Sequence, residues 1–148
     1  MTILMQGEAT KMDNKNVINL ALSSEQNEFI TKALGGYNIL VDACIGSGKT
    51  TAIQQLCNVF PSDRKILYLT YNRLLKLDAQ AKIKNSNVTV TNYHGFAMGV
   101  LRKNRVICGV PEVISTFNRI KPPIAIYDIL ILDEYQDVEQ EFADMLWY

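Results

Sequence analysis

Apolar positions along this chain follow two alternating rhythms: short unbroken runs and helical recurrences. After a polar opening of weak periodicity, from Met1 to about Asn19, the stretch "LSSEQNEFITKALGG" sets Phe29, Ile30, Ala33 and Leu34 at helical spacing. Ser23, with Gln26 three residues on, reads as a capping box, and Gly35-Gly36 reads as the stop. "YNILVDA" is an apolar run of strand length; "KTTAIQQLCNVF" is helical and is closed by Pro61. The alternation then repeats. "KILYLT" and "NVTVT" predict strands, and "NRLLKLDAQAKI" and "YHGFAMGVLRK" predict helices. "PEVISTFNRI" predicts another short helix. Pro122-Pro123 break the chain before "YDILILD", a strand of the buried type, and "VEQEFADMLW" predicts a final helix.

Strands alternating with helices imply right-handed crossovers and a parallel sheet covered on both faces. The expected fold class is therefore α/β, a three-layer arrangement around a mostly parallel sheet. Residues 1–20 are expected to form a loose N-terminal extension, and 21–148 the folded part.

Composition changes this picture little. The chain has 148 residues, 48% hydrophobic and 20% charged, which suits one soluble globular domain. Lys+Arg and Asp+Glu are both 15, so no global field draws the chain to nucleic acid, and any such contact must be local. Cys44, Cys57 and Cys108 form no C-x-x-C pair, and His94 is the single histidine, which argues against structural zinc and against a disulfide framework. Scattered thiols point to a reducing intracellular compartment, cytoplasm or, in a eukaryote, nucleus. No apolar run approaches about 18 residues, so no membrane partner is expected.

Candidate chemistry begins at "ACIGSGKT". After a parallel strand the chain must turn tightly into its helix, and Gly46 and Gly48 let backbone N–H groups converge on an anion. The helix beginning near Lys49 adds its positive dipole end. Lys49 supplies a point charge for β- and γ-phosphates, and the Thr50 hydroxyl can ligate Mg²⁺. The pattern G-x-x-x-x-G-K-[ST] is met except at its first position, where Ala43 stands, so the cradle comprises Ala43, Gly46, Ser47, Gly48, Lys49 and Thr50. The bland alternative is an ordinary strand-to-helix turn with a surface lysine. Cys44 within the loop reads as a small residue that fits.

A phosphate loop calls for a metal-holding carboxylate at the end of another strand. Ile129 to Leu132 are apolar at every position, and Asp133 and Glu134 follow where that strand emerges at the carboxyl edge. Asp133 is the expected Mg²⁺ partner. Glu134 is the expected catalytic base for an attacking water, a role typically worth about 10²–10⁴-fold. The alternative is an acidic helix start favoured by the dipole alone.

With both motifs in view, the chain resembles the UvrD/Rep type of superfamily 1 DNA helicases over roughly Leu22 to Asp137. The segments "LSSEQ", "ACIGSGKTT", "LYLTYNRLL", "VTNYHGFA" and "ILDEYQD" stand in that family's order. The family's loop commonly begins with alanine, as Ala43 does, and "DEYQD" separates the chain from superfamily 2 helicases. The resemblance implies a P-loop, RecA-like lobe that binds ATP and Mg²⁺ and couples hydrolysis to translocation on single-stranded DNA. It assigns Gln26 to the adenine edge, where the residue pattern alone makes it the partner of the Ser23 cap. It gives Thr51 to nucleotide packing and makes Gln136 a sensor of nucleotide state. Tyr71, Asn72 and His94 become DNA contacts, with Arg73 a further phosphate partner, while Tyr93 and Phe96 read equally well as core.

In that family one lobe needs more sequence than is found up to Tyr148: a strand that inserts between the two nucleotide motifs, and then a second lobe carrying arginines for the γ-phosphate. The expectation is an N-terminal part of a helicase whose downstream lobe is a partner in function. Without that strand, a gap in the sheet and exposed apolar surface are expected. Two rival readings stay open. One is a small-molecule kinase, which would want an arginine-rich lid that the sequence lacks. The other is a non-catalytic nucleotide- or DNA-binding remnant.

Overall fold

A computed structural model of the chain describes residues 2–5, 22–41, 48–71, 73–133 and 139–146. Within them the strands are β1 (Thr2–Met5), β2 (Ile39–Leu40), β3 (Ile66–Thr70), β4 (Val88–Asn92) and β5 (Ile129–Leu132). The helices are α1 (Ser24–Leu34), α2 (Lys49–Val59), α3 (Arg73–Lys82), α4 (Tyr93–Lys103), α5 (Val113–Ile120) and α6 (Gln140–Leu146). A single 3-10 turn, Val110–Glu112, leads into α5.

The strands form one sheet of order β2-β1-β5-β3-β4. β3 pairs in parallel with both β4 and β5, while β1 runs antiparallel to β2 and to β5. The fold is therefore α/β with a mostly parallel sheet, compatible with a RecA-like arrangement. Strand alternation divides the core in two. Ile66, Tyr68, Val90, Ile129 and Ile131 pack with Phe29, Ile30, Ile53 and Leu56 of α1 and α2 and with Ala79 of α3. Leu67, Leu69 and Leu132 pack instead with Phe96, Val100, Phe117 and Phe142 of α4, α5 and α6. Each fully buried Ile, Leu or Phe contributes about 1.5–3 kcal/mol.

The helix signals act as expected. Ser23 Oγ accepts from Gln26 N (3.2 Å) while Gln26 Oε1 accepts from Ser23 N (2.9 Å), closing the capping box of α1. Phe60 turns to extended backbone after α2, ahead of Pro61. The "PEVISTFNRI" helix is present as α5. No helix among the described residues is long and apolar enough to cross a membrane.

Two expectations are corrected. The opening is not loose throughout, because Thr2–Met5 form β1. Nor is there a gap between β2 and β5: β1 lies there, with Thr2 opposite both Leu40 and Leu132. Four residues are too few for a periodic signal, but β5 pairs with all four and β2 with Thr2 and Ile3, which gives their backbone groups partners.

Candidate functional site

Because β1 is antiparallel to its two neighbours, β2 points the same way as β5, β3 and β4. The carboxyl ends of these strands share one edge, where open α/β sheets bind ligands. Gly48, Lys49 and Thr50 follow β2, Tyr71 follows β3, Tyr93 and His94 follow β4, and Asp133 follows β5. Residues more than eighty positions apart in sequence, Gly48 and Asp133, thus follow strands that end on one edge. Ala43, Gly46, Ser47, Asn72, Glu134 and Gln136 lie outside the described residues.

The start of α2 is built against its own local preferences. Gly48 occupies the N-cap at φ 78°, a left-handed conformation, and offers no side-chain cap. The first turn has no acidic residue, and Lys49 places a cation against the positive dipole end. A helix start of this kind, with its N–H groups and a lysine together, is electrostatically suited to an anion. Thr50 is half-buried in the same turn and Thr51 is exposed.

Gln26 reaches this turn from α1. Its Nε2 donates to the Gly48 carbonyl at 3.0 Å while its Oε1 holds the cap at Ser23. A Cβ at position 48 would collide with that Nε2, a second reason for glycine there. The capping reading of Gln26 is thus present in the structure, and the same side chain also ties α1 to the turn that opens α2.

Asp133 is only 2% exposed. Its backbone N–H donates to the Leu69 carbonyl at 3.0 Å, and its Oδ2 accepts from the Tyr68 hydroxyl at 2.9 Å. Burial pushes the Tyr68 phenol well above its ordinary range, with the charge of Asp133 adding to the rise, so the hydroxyl remains a donor. Tyr68 is the site neighbour that sequence reasoning missed. The only available signal was a tyrosine within an otherwise aliphatic run, which strand propensity alone explains.

Thr50 and Asp133 are hard oxygen donors of the kind that suits Mg²⁺. Among the described residues no three His, Cys, Asp or Glu side chains gather as a metal-holding cluster.

After β3, Tyr71 (44%), Leu74 (77%) and Leu77 (49%) are exposed, and Arg73 lies beside them on α3. His94 is exposed in the first turn of α4, its ring edge-on to Phe142 at 5.0 Å. That turn is capped by Asn92 Oδ1, which accepts from Gly95 N at 2.8 Å; a Cβ at Gly95 would stand 2.6 Å from that oxygen. Tyr93 and Phe96 are core residues. Comparison with protein-family models, curated proteins and solved structures finds no match to this chain.

Proposed function

We propose that this chain is the nucleotide-binding part of an ATP-driven DNA motor of the UvrD/Rep kind. The observation that carries the reading is the joining of Gln26 to the glycine- and lysine-led start of α2, with buried Asp133 following a strand that ends on the same edge as β2. Lys49 and the α2 amides bind the β- and γ-phosphates, and Gln26 approaches the adenine. Bound Mg²⁺ would neutralise phosphate charge, with Thr50 and Asp133 as the protein groups that hold it. Glu134 accepts the proton of the attacking water, and Gln136 relays nucleotide state. Tyr71, Asn72 and His94 meet single-stranded DNA at the neighbouring strand ends, with Tyr71 stacking on a base. The resemblance supports these last roles, and the exposure of Tyr71 and His94 agrees with them.

Equilibrium binding of a fluorescent ATP analogue tests the proposal. Mg²⁺-dependent binding is expected, weakened about a hundredfold or more in Lys49→Ala, with single-stranded DNA altering nucleotide affinity. Equal binding by wild type and Lys49→Ala, or phosphate transfer to a small acceptor with indifference to DNA, would overturn it.

A further inference from the structure

We infer that Tyr68 is a positioning residue for the metal-side carboxylate: its hydroxyl holds Asp133 in the orientation that magnesium-nucleotide binding requires. This rests on the nucleotide reading above and deepens it.

The geometry begins with register. Tyr68 on β3 stands opposite Ile131 on β5, and Asp133 lies two residues on, just past the end of β5. A diagonal neighbour of this kind is within reach of an aromatic side chain, and the Tyr68 hydroxyl meets Asp133 Oδ2 at 2.9 Å. A shorter side chain at position 68 would fall short. The ring itself lies in the apolar cluster with Ile53, Leu56 and Ile131, where phenylalanine would pack equally well. The hydroxyl is the one feature of Tyr68 that the apolar packing does not require, and it is spent on Asp133.

Asp133 needs such a partner. A carboxylate this deeply buried is costly unless it is hydrogen-bonded. The Tyr68 bond offsets part of that cost and commits one carboxylate oxygen, which restricts rotation about the side chain. Groups that orient a metal ligand in this way typically change metal affinity about 10–100-fold when removed. The bond also joins β3, whose carboxyl end leads to Tyr71, to β5, whose end carries Asp133. Tyr68 is therefore placed to keep the magnesium side of the site in register with the neighbouring strand.

The test is a Mg²⁺ titration of nucleotide-analogue binding to wild type and to Tyr68→Phe, which keeps the ring. The half-saturating Mg²⁺ concentration is expected to rise roughly tenfold, while binding in excess EDTA stays unchanged. In an Asp133→Asn background the same substitution should leave the midpoint unmoved. An unchanged midpoint in Tyr68→Phe, with wild type and Lys49→Ala behaving as proposed, would make the bond purely structural and overturn the inference alone. Absence of nucleotide binding by wild type would overturn the nucleotide reading and this inference with it. If Tyr68→Phe does not fold, 3-fluorotyrosine placed at position 68 keeps both ring and hydroxyl. Its fluorine resonance should then shift on adding Mg²⁺ with ATP and stay still with ATP in EDTA; equal shifts in both would overturn the inference.

Discussion

The two faces of the sheet solve the same packing problem with different materials. The face under α4, α5 and α6 is built around Leu67, Leu69, Phe96, Phe117 and Leu132, with Thr116 and the Tyr93 hydroxyl as buried polar groups among the described residues of those helices. The face under α1, α2 and α3 contains a polar thread within an equally apolar core. Gln54 on α2 donates to Asp78 on α3 at 2.8 Å, and Tyr68 donates to Asp133. Buried polar groups lower stability unless satisfied, and here each of these bonds joins separate elements. The comparison teaches where the molecule is free to be simple. The helices of the threaded face bring Gln26 and Lys49 together near the carboxyl edge of the sheet, while α4 of the other face begins at that edge with Tyr93 and His94.

The largest expected contrast is a core deletion on the apolar face. Phe117→Ala should lower unfolding free energy by about 3–5 kcal/mol in denaturant titration, yet leave the Mg²⁺ midpoint for nucleotide unchanged. That pattern is the reverse of the one expected for Tyr68→Phe, and a shifted midpoint would erase the distinction between the faces.

Alkaline pH probes the threaded face next. Burial pushes the Cys57 thiol up from 9.0 to about 12. A raised acid pKa means that above pH 9 the unfolded chain holds fewer protons than the folded one, so stability is intact below that pH and falls above it. The decline should approach about 1.4 kcal/mol per pH unit from this group, until pH nears 12. Tyr68, also raised by burial, adds to the slope above its ordinary range. Thermal unfolding measured across pH 8 to about 11 should be visibly shallower in Cys57→Ala; identical slopes would show that the thiol does not titrate between the two states.

The smallest effect sharpens the role of the first helix. Ser23→Ala removes the acceptor for Gln26 N and should cost about 1 kcal/mol. The Gln26–Gly48 bond is made by another atom of the side chain, so nucleotide binding should change little at temperatures where the chain remains folded. A loss comparable to that of Lys49→Ala would show that the cap, rather than the lysine, organises the turn.

Much of this was readable in one dimension. Helical spacing, the Ser23–Gln26 box and the proline stops place the helices almost where they lie, because each signal acts within a few residues. The same holds for the strand ends: an apolar run followed by Lys49-Thr50, or by Asp133, assigns those residues to the sheet edge once the strands are parallel. β1 was not readable, because a four-residue strand earns its pairing from neighbours brought up by the rest of the fold. Tyr68 was equally silent, since an aromatic in a strand needs no explanation until something stands opposite its hydroxyl.

By itself, then, the sequence determined the elements, their alternation and the residue types offered at the strand ends, all consequences of local periodicity and capping. Only the tertiary structure decided that Thr2–Met5 lie between β2 and β5, and that Tyr68 meets Asp133 across 65 residues of chain. Strand neighbours are chosen by register and by open backbone hydrogen-bonding groups, and those come into being only when the sheet assembles.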